Sequence, residues 1–227
     1  MSIATGLLTI SSAGPVGTNE IIIYGSLPNY QKLSVLFTVT GIANSAPIFS
    51  SSLSDQTVSW KSTDCYQLPT YSDSQGNTIT LSTVELGKTS LPTFVSFNSA
   101  TRTYFISPSS VSQIGTYSIQ VTLSDSVLTS SYQFSIAVTN TAPTIGSQTA
   151  VDQIVSINQI VQYTLPSPYD ADSDPITTSF SVTPSASFVS LSSSGILQFG
   201  PTLISDMGTY IITITLSDTI QSSTYNF

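Results

Sequence analysis

The chain has 227 residues, no histidine, one cysteine and a net charge of −8, with four basic residues against twelve acidic ones. Lys32, Lys61, Lys88 and Arg102 are too few to neutralise a run of phosphates, which argues against nucleic acid as a partner. Without histidine the commonest general base and the commonest transition-metal ligand are both missing.

Residues 1–15 lack the basic start and continuous apolar run of a secretion signal, and no segment reaches the ~20 apolar residues of a membrane-spanning helix. A secreted protein carrying this stretch is therefore expected to be longer than the chain itself. Residues 17–23 align with residues 115–121, and residues 33–40 alternate as a closing strand. Residues 1–43 thus read as the C-terminal half of a repeat whose first half is missing. A half-sandwich cannot bury both faces of its sheets.

A complete unit follows over 44–140. Its markers are Asp55-Gln56-Thr57, Tyr66-Gln67-Leu68-Pro69, Ile79-Thr80-Leu81, Leu91-Pro92-Thr93-Phe94-Val95-Ser96-Phe97 and a short strand at 104–106. Residues 115–125 read Gly-Thr-Tyr-Ser-Ile-Gln-Val-Thr-Leu-Ser-Asp, and residues 208–218, 93 positions later, read Gly-Thr-Tyr-Ile-Ile-Thr-Ile-Thr-Leu-Ser-Asp. Apolar residues at every second position have the period of a half-buried strand. The unit over 141–227 repeats the markers as Asp152-Gln153-Ile154, Tyr163-Thr164-Leu165-Pro166, 176–180, 188–191 and 196–199, and stops in its last strand at Tyr225-Asn226-Phe227. Short strands with frequent turn signals and no helical period predict an all-β fold.

Serine and threonine make up about a third of the residues, so the surface is hydroxyl-rich and short of the lysines that guard strand edges. Such a surface suits lateral packing, self-association or O-linked glycans; Asn-x-Ser/Thr acceptors are absent. Cys65 is out of phase with Tyr66 and Leu68 and should face away from the core as a thiol without a role, an intermolecular disulfide being the sharper alternative. No serine has an obvious activating base, and the aromatic residues Tyr117, Phe134, Phe180 and Tyr210 fall at inward positions, so catalysis is not expected. Trp60 reads as core or linker packing.

The ordered markers, closed by Val138-Thr139-Asn140-Thr141-Ala142-Pro143, resemble the dystroglycan-type cadherin-like domain. That resemblance implies tandem Ig-like β-sandwich domains arranged end to end, with the first one incomplete, in an extracellular or cell-surface protein.

One turn carries chemistry: Tyr169-Asp170-Ala171-Asp172-Ser173-Asp174-Pro175. Three carboxylates at alternate positions repel one another unless water or a cation separates them. Oxygen ligands of this kind suit Ca²⁺. Pro175 and Ser181 stand where an EF-hand loop needs Gly and Glu. In an Ig-like sandwich this turn shares a pole with the end of the sixth strand and the incoming linker. The resemblance to cadherins therefore implies a Ca²⁺ site of Asp170, Asp172, Asp174, Asp218 and Asn140. The cadherin pattern also takes acids from the preceding repeat, whereas Ser110-Val111-Ser112-Gln113 carries none; Asp55 is the candidate substitute. Solvated turn residues are the competing reading. In the first full unit the turn reads Asp73-Ser74-Gln75-Gly76-Asn77, with too few carboxylates for an ion.

The resulting expectation is a non-enzymatic extracellular structural or adhesive protein, a rod or filament of cadherin-like domains stiffened by Ca²⁺ at a repeat junction. The alternative is a glycan- or protein-binding module of a larger receptor or enzyme.

Overall fold

The computed structural model describes residues 16–26, 32–146 and 151–227. Residues 1–15, where the absence of a secretion signal was read, lie outside the described residues. Contacts gather the chain into two compact units. One comprises the described parts of Met1–Ser50 with Tyr71–Leu81 and Thr122–Ser130; the other comprises Ser51–Thr70, Ser82–Val121 and the described parts of Ser131–Phe227.

The first strands, β1 (Gly17–Ser26) and β2 (Lys32–Gly41), form an antiparallel hairpin from Gly17↔Gly41 to Ser26↔Lys32. The chain then runs through β3 (Ile48–Phe49), β4 (Gln56–Ser59), β5 (Asp64–Gln67), β6 (Tyr71–Ser72), β7 (Thr80–Glu85), β8 (Val95–Asn98), β9 (Thr103–Ile106), β10 (Gly115–Ser124) and β11 (Thr129–Thr139). The larger sheet among these strands has the order β4-β11-β10-β7 and the smaller one β5-β9-β8, with β3-β6 as a separate pair. The last repeat adds β12 (Val161–Thr164), β13 (Thr177–Thr183), β14 (Val189–Leu191), β15 (Ile196–Phe199), β16 (Ile211–Ser217) and β17 (Ser222–Asn226).

The same pairing returns in the second repeat. Sheet β12-β15-β14 answers β5-β9-β8, and β13-β16-β17 answers β7-β10-β11. Tyr66 faces Tyr104 across β5 and β9, and Tyr163 faces Leu197 across β12 and β15. The β3-β6 pair becomes a single bridge, Thr144↔Tyr169. The chain is therefore all-β, in tandem Ig-like sandwiches. The described residues contain no α-helix, and none of their helices is long and apolar enough to cross a membrane.

Alternation sets the cores. On β10 Ile119, Val121 and Leu123 are fully buried, and on β11 Ile136 and Val138 join them. Tyr104 lies against Phe97 and Phe134 at ring-centroid distances of 4.6 and 5.2 Å. Its hydroxyl shares a 2.6 Å hydrogen bond with that of Thr83, and burial pushes the phenol up to about 12. In the second repeat, Val189, Leu197 and Phe199 of one sheet pack with Ile212, Ile214 and Leu216 of the other.

The Gly-Thr-Tyr phrase carries more than core packing. The Tyr117 hydroxyl donates to the Gln113 carbonyl at 3.0 Å, and the Tyr210 hydroxyl to the Asp206 carbonyl at 3.1 Å. Both reach four residues back into a short 3-10 turn, a tyrosine corner of the kind found at the start of the sixth strand in Ig-like sandwiches. Phe94 and Phe188 set their rings edge-on to Tyr117 and Tyr210 at 4.9 and 5.1 Å.

Strand β16 begins three residues later in its phrase than β10 does. Its partner β13 ends at Thr183, paired with Ile211, and the next residue is Pro184, which has no N–H to continue the ladder. Cys65 is exposed, as its phase requires.

The corner hydrogen bond should be measurable in isolation. Tyr210→Phe keeps the ring contact with Phe188 and loses only the hydroxyl. It is expected to lower unfolding free energy by about 1 kcal/mol, read as a lower urea midpoint with an unchanged m-value.

Candidate functional site: a buried carboxylate turn

The turn between the Thr144–Tyr169 bridge and β13 is held by its own first carboxylate. Asp170 Oδ1 accepts from the backbone N–H groups of Asp172 at 2.8 Å and Asp174 at 3.1 Å. Ser173 takes φ +60°, a left-handed conformation that short polar residues tolerate, and this tightens the loop. The loop thereby brings carboxylate oxygens of Asp170, Asp172 and Asp174 within 4.8 Å of one another. The solvated-turn reading does not describe them, since their exposures are only 5%, 8% and 7%.

The linker reaches into this cluster. Thr141 N–H donates to Asp172 Oδ2 at 2.6 Å, and Asn140 Nδ2 donates to Asp218 Oδ2 at 2.9 Å. Asp218, 3% exposed, caps the end of β16 by accepting from Ile220 and Gln221 N–H at 2.7 and 2.6 Å. Its carboxyl lies below the ordinary range: burial pushes it up most, but the Gln221, Asn140 and Ile220 donors together outweigh that cost. All five residues expected from the sequence thus lie in one hydrogen-bonded cluster once Trp60 is included.

Trp60, read from the sequence as core or linker packing, is buried against the linker and also donates into the cluster, a role the sequence did not signal. Its indole N–H points at both Asn140 Oδ1, 2.8 Å away, and Asp174 Oδ2, 2.9 Å away. The neighbouring Lys61 forms an ion pair with Asp174 Oδ1 and lies 4.2 Å from the Trp60 ring centroid. The preceding repeat thus contributes a base to the cluster. Asp55 is elsewhere: its exposed carboxylate accepts from Ser135 N–H at 2.6 Å, which holds its carboxyl below the ordinary range.

One atom has no partner. Asp170 Oδ2 is buried without a hydrogen bond. Counted formally, four carboxylates and one ammonium leave the cluster at −3. Buried ions of one sign cost several kcal/mol each unless compensated. Hard oxygens fit the need: Ca²⁺–O distances of about 2.3–2.6 Å let opposite ligands stand about 5 Å apart, the span the three aspartates already have.

The matching turn of the preceding repeat solves the same problem with amides. Asp73 Oδ1 accepts from Gln75 and Asn77 N–H at 2.8 and 3.1 Å. Gln75 Oε1 accepts from Ser45 N–H at 3.2 Å, where Asp172 accepts from Thr141. Asn77 donates to Asn44 Oδ1 at 2.9 Å, and Asn44 donates to Asp125 Oδ2 at 2.7 Å. This network has fewer charges, although Asp73 Oδ2 is likewise unpartnered at a half-buried residue.

Compared with known proteins, residues 46–141 match the family described as "Putative Ig domain". No curated protein matches the sequence. Among solved structures, titin domains z1z2 in complex with telethonin are 13% identical, with a TM-score of 0.47 over 82% of this chain and 95% of that one. Human protocadherin-24 EC1-2 gives 12%, 0.38, 82% and 94%, and extracellular domains 3–5 of Drosophila OTK give 10%, 0.38, 91% and 68%. An endo-fucoidan hydrolase of glycoside hydrolase family 107 is 18% identical with a TM-score of 0.32; the match spans 93% of this chain but 33% of that enzyme.

Asp125 gives this region a pH signature. Donation by Leu128 N–H, then by Asn44 and Val127 N–H, holds its carboxyl below the ordinary range. A depressed carboxylate adds stability that is present above its unfolded pKa of about 4 and is lost as pH falls through its folded value. Asp125→Asn should therefore be less stable than the parent near neutral pH, and urea midpoints of the two should converge as pH drops below about 4.

Proposed function

We propose that this chain belongs to a non-enzymatic extracellular structural or adhesive protein. It is read as a rod of dystroglycan-type cadherin-like repeats, with domains over 44–140 and 141–227 and part of another over 1–43. Neighbouring protein surfaces, its own copies included, are the proposed partners, and O-linked glycans suit its hydroxyl-rich surface. The observation that carries the reading is the buried carboxylate cluster gripping the linker at Asn140 and Thr141.

Asp170, Asp172, Asp174, Asp218 and Asn140 would hold Ca²⁺, which supplies the positive charge that the cluster lacks. The residues of the chain do the mechanical work. Trp60 ties the repeat before the linker to Asn140 and Asp174, Thr141 ties the linker to the turn, and Asn140 ties it to the end of β16. With these carboxylates neutralised, the linker loses hinge freedom that a bare Thr-Ala-Pro segment would keep.

Thermal melting tests the reading. Moving from chelator to Ca²⁺ at about 100 times its dissociation constant should add about 2.7 kcal/mol, or about 5–10 °C in Tm for a chain of this size. Asp172→Asn should remove most of that gain. An unchanged melting curve at millimolar Ca²⁺ would sink the proposal.

A further inference from the structure

We propose that Lys61 is a resident counter-charge that competes with a divalent cation for Asp174, so that this junction alternates between a lysine-bridged and an ion-bridged state. The inference rests on the Ca²⁺ reading above and adds the residue that sets its affinity.

Lys61 is built into its position. The backbone N–H of Trp60 donates to the Thr139 carbonyl and that of Lys61 to the Pro108 carbonyl, both at 2.9 Å, which fixes the backbone on either side of Trp60. Lys61 holds φ +64°, a left-handed conformation uncommon for a residue with a long side chain. The side chain then crosses the Trp60 ring, a favourable path for an ammonium, and ends on Asp174 Oδ1. Its side chain is 38% exposed while that of Asp174 is 3% exposed, so the charge pair has one wet member and one buried member. The wet member can leave for solvent. The buried one cannot.

Two further observations make this a competition rather than a fixed salt bridge. Lys61 is the one basic residue bonded to the four carboxylates among the described residues, and it offsets one charge of four. Asp170 Oδ2 stays buried and unpartnered while Lys61 is in place. The lysine therefore satisfies Asp174 and leaves the rest of the cluster in need of a cation. A divalent ion drawn in by Asp170 and Asp172 needs Asp174 as well, and Asp174 Oδ1 is the oxygen that Lys61 holds. Ion binding then carries the cost of displacing an ammonium, and the ion-free junction stays bridged rather than springing apart.

The test is Ca²⁺ titration of the full chain, followed by calorimetry and by emission of Trp60, the chain's single tryptophan, in the parent, Lys61→Met and Lys61→Arg. Lys61→Met keeps the stem and removes the charge. It should melt lower than the parent in chelator yet bind Ca²⁺ about tenfold more tightly, as expected when a charged hydrogen bond no longer has to be broken. Lys61→Arg keeps the charge with a two-pronged grip on the carboxylate, preserves the fold, and should bind Ca²⁺ more weakly than the parent. Equal affinities in all three, or weaker binding by Lys61→Met, would overturn the competition and leave the Ca²⁺ site standing. Absence of heat and of any Trp60 change in all three at millimolar Ca²⁺ would overturn both readings.

Discussion

Everything here depends on two strands that cannot slip. In β10 and β16 every second side chain is buried, so a shift of one residue would turn Ile119, Val121 and Leu123, or Ile212, Ile214 and Leu216, out to water. Each fully buried apolar side chain of this size is worth about 1.5–3 kcal/mol, so register is held by several such terms at once. The tyrosine corner fastens one end of each strand. At the other end the register delivers one aspartate, Asp125 or Asp218, to the pole where the linker arrives. Core packing thus places the carboxylate to which the linker is tied.

Given that fixed carboxylate, the two poles differ in how they treat the turn facing it. Gln75 and Asn77 bring amides that both donate and accept to the turn that Asp73 opens, so its network carries fewer charges and supplies some of its own donors. Asp170, Asp172 and Asp174 can only accept when ionised. The same backbone geometry, an Asp Oδ1 receiving the two N–H groups two and four residues on, then leaves the cluster short of donors and short of positive charge. Trp60 supplies one of the missing donors and Lys61 one of the missing charges. Burial makes this shortage matter: in water three aspartates would merely repel weakly, whereas here each sits below 10% exposure.

Most of this fold was legible because period and order are properties of the sequence. The duplicated phrase, the Tyr-x-Leu-Pro strand ends and the strand at 196–199 lie where alternation puts them. The late start of β16 was not, because the phrase from 208 to 218 is as regular as its twin and the limit comes from Pro184, just past the end of β13. At the site, Asp170, Asp172 and Asp174 were legible as a local motif, and Asn140 and Asp218 followed from topology. Trp60 and Lys61 were not, for a physical reason. Their side chains reach the cluster from a turn that includes a left-handed residue, Lys61, and a Trp-Lys pair at the end of a strand carries no signal for that. Asp55, the candidate substitute for the acids missing from the preceding repeat, is bonded to Ser135, and Lys61 stands against Asp174.

The linker asparagine explains how one scheme accommodates both kinds of turn. Asn44 and Asn140 each turn Nδ2 toward the strand-end aspartate and leave Oδ1 to accept. Where the third turn position is Asn77, that residue donates to Asn44, and turn, linker and strand end are joined through amides. Where it is Asp174, the donor must come from outside the turn, and the nearest source is Trp60. Replacing an amide by a carboxylate at one position therefore does more than add charge. It transfers a hydrogen bond from within a repeat to a side chain of the repeat before it, so that the linker is gripped from both sides.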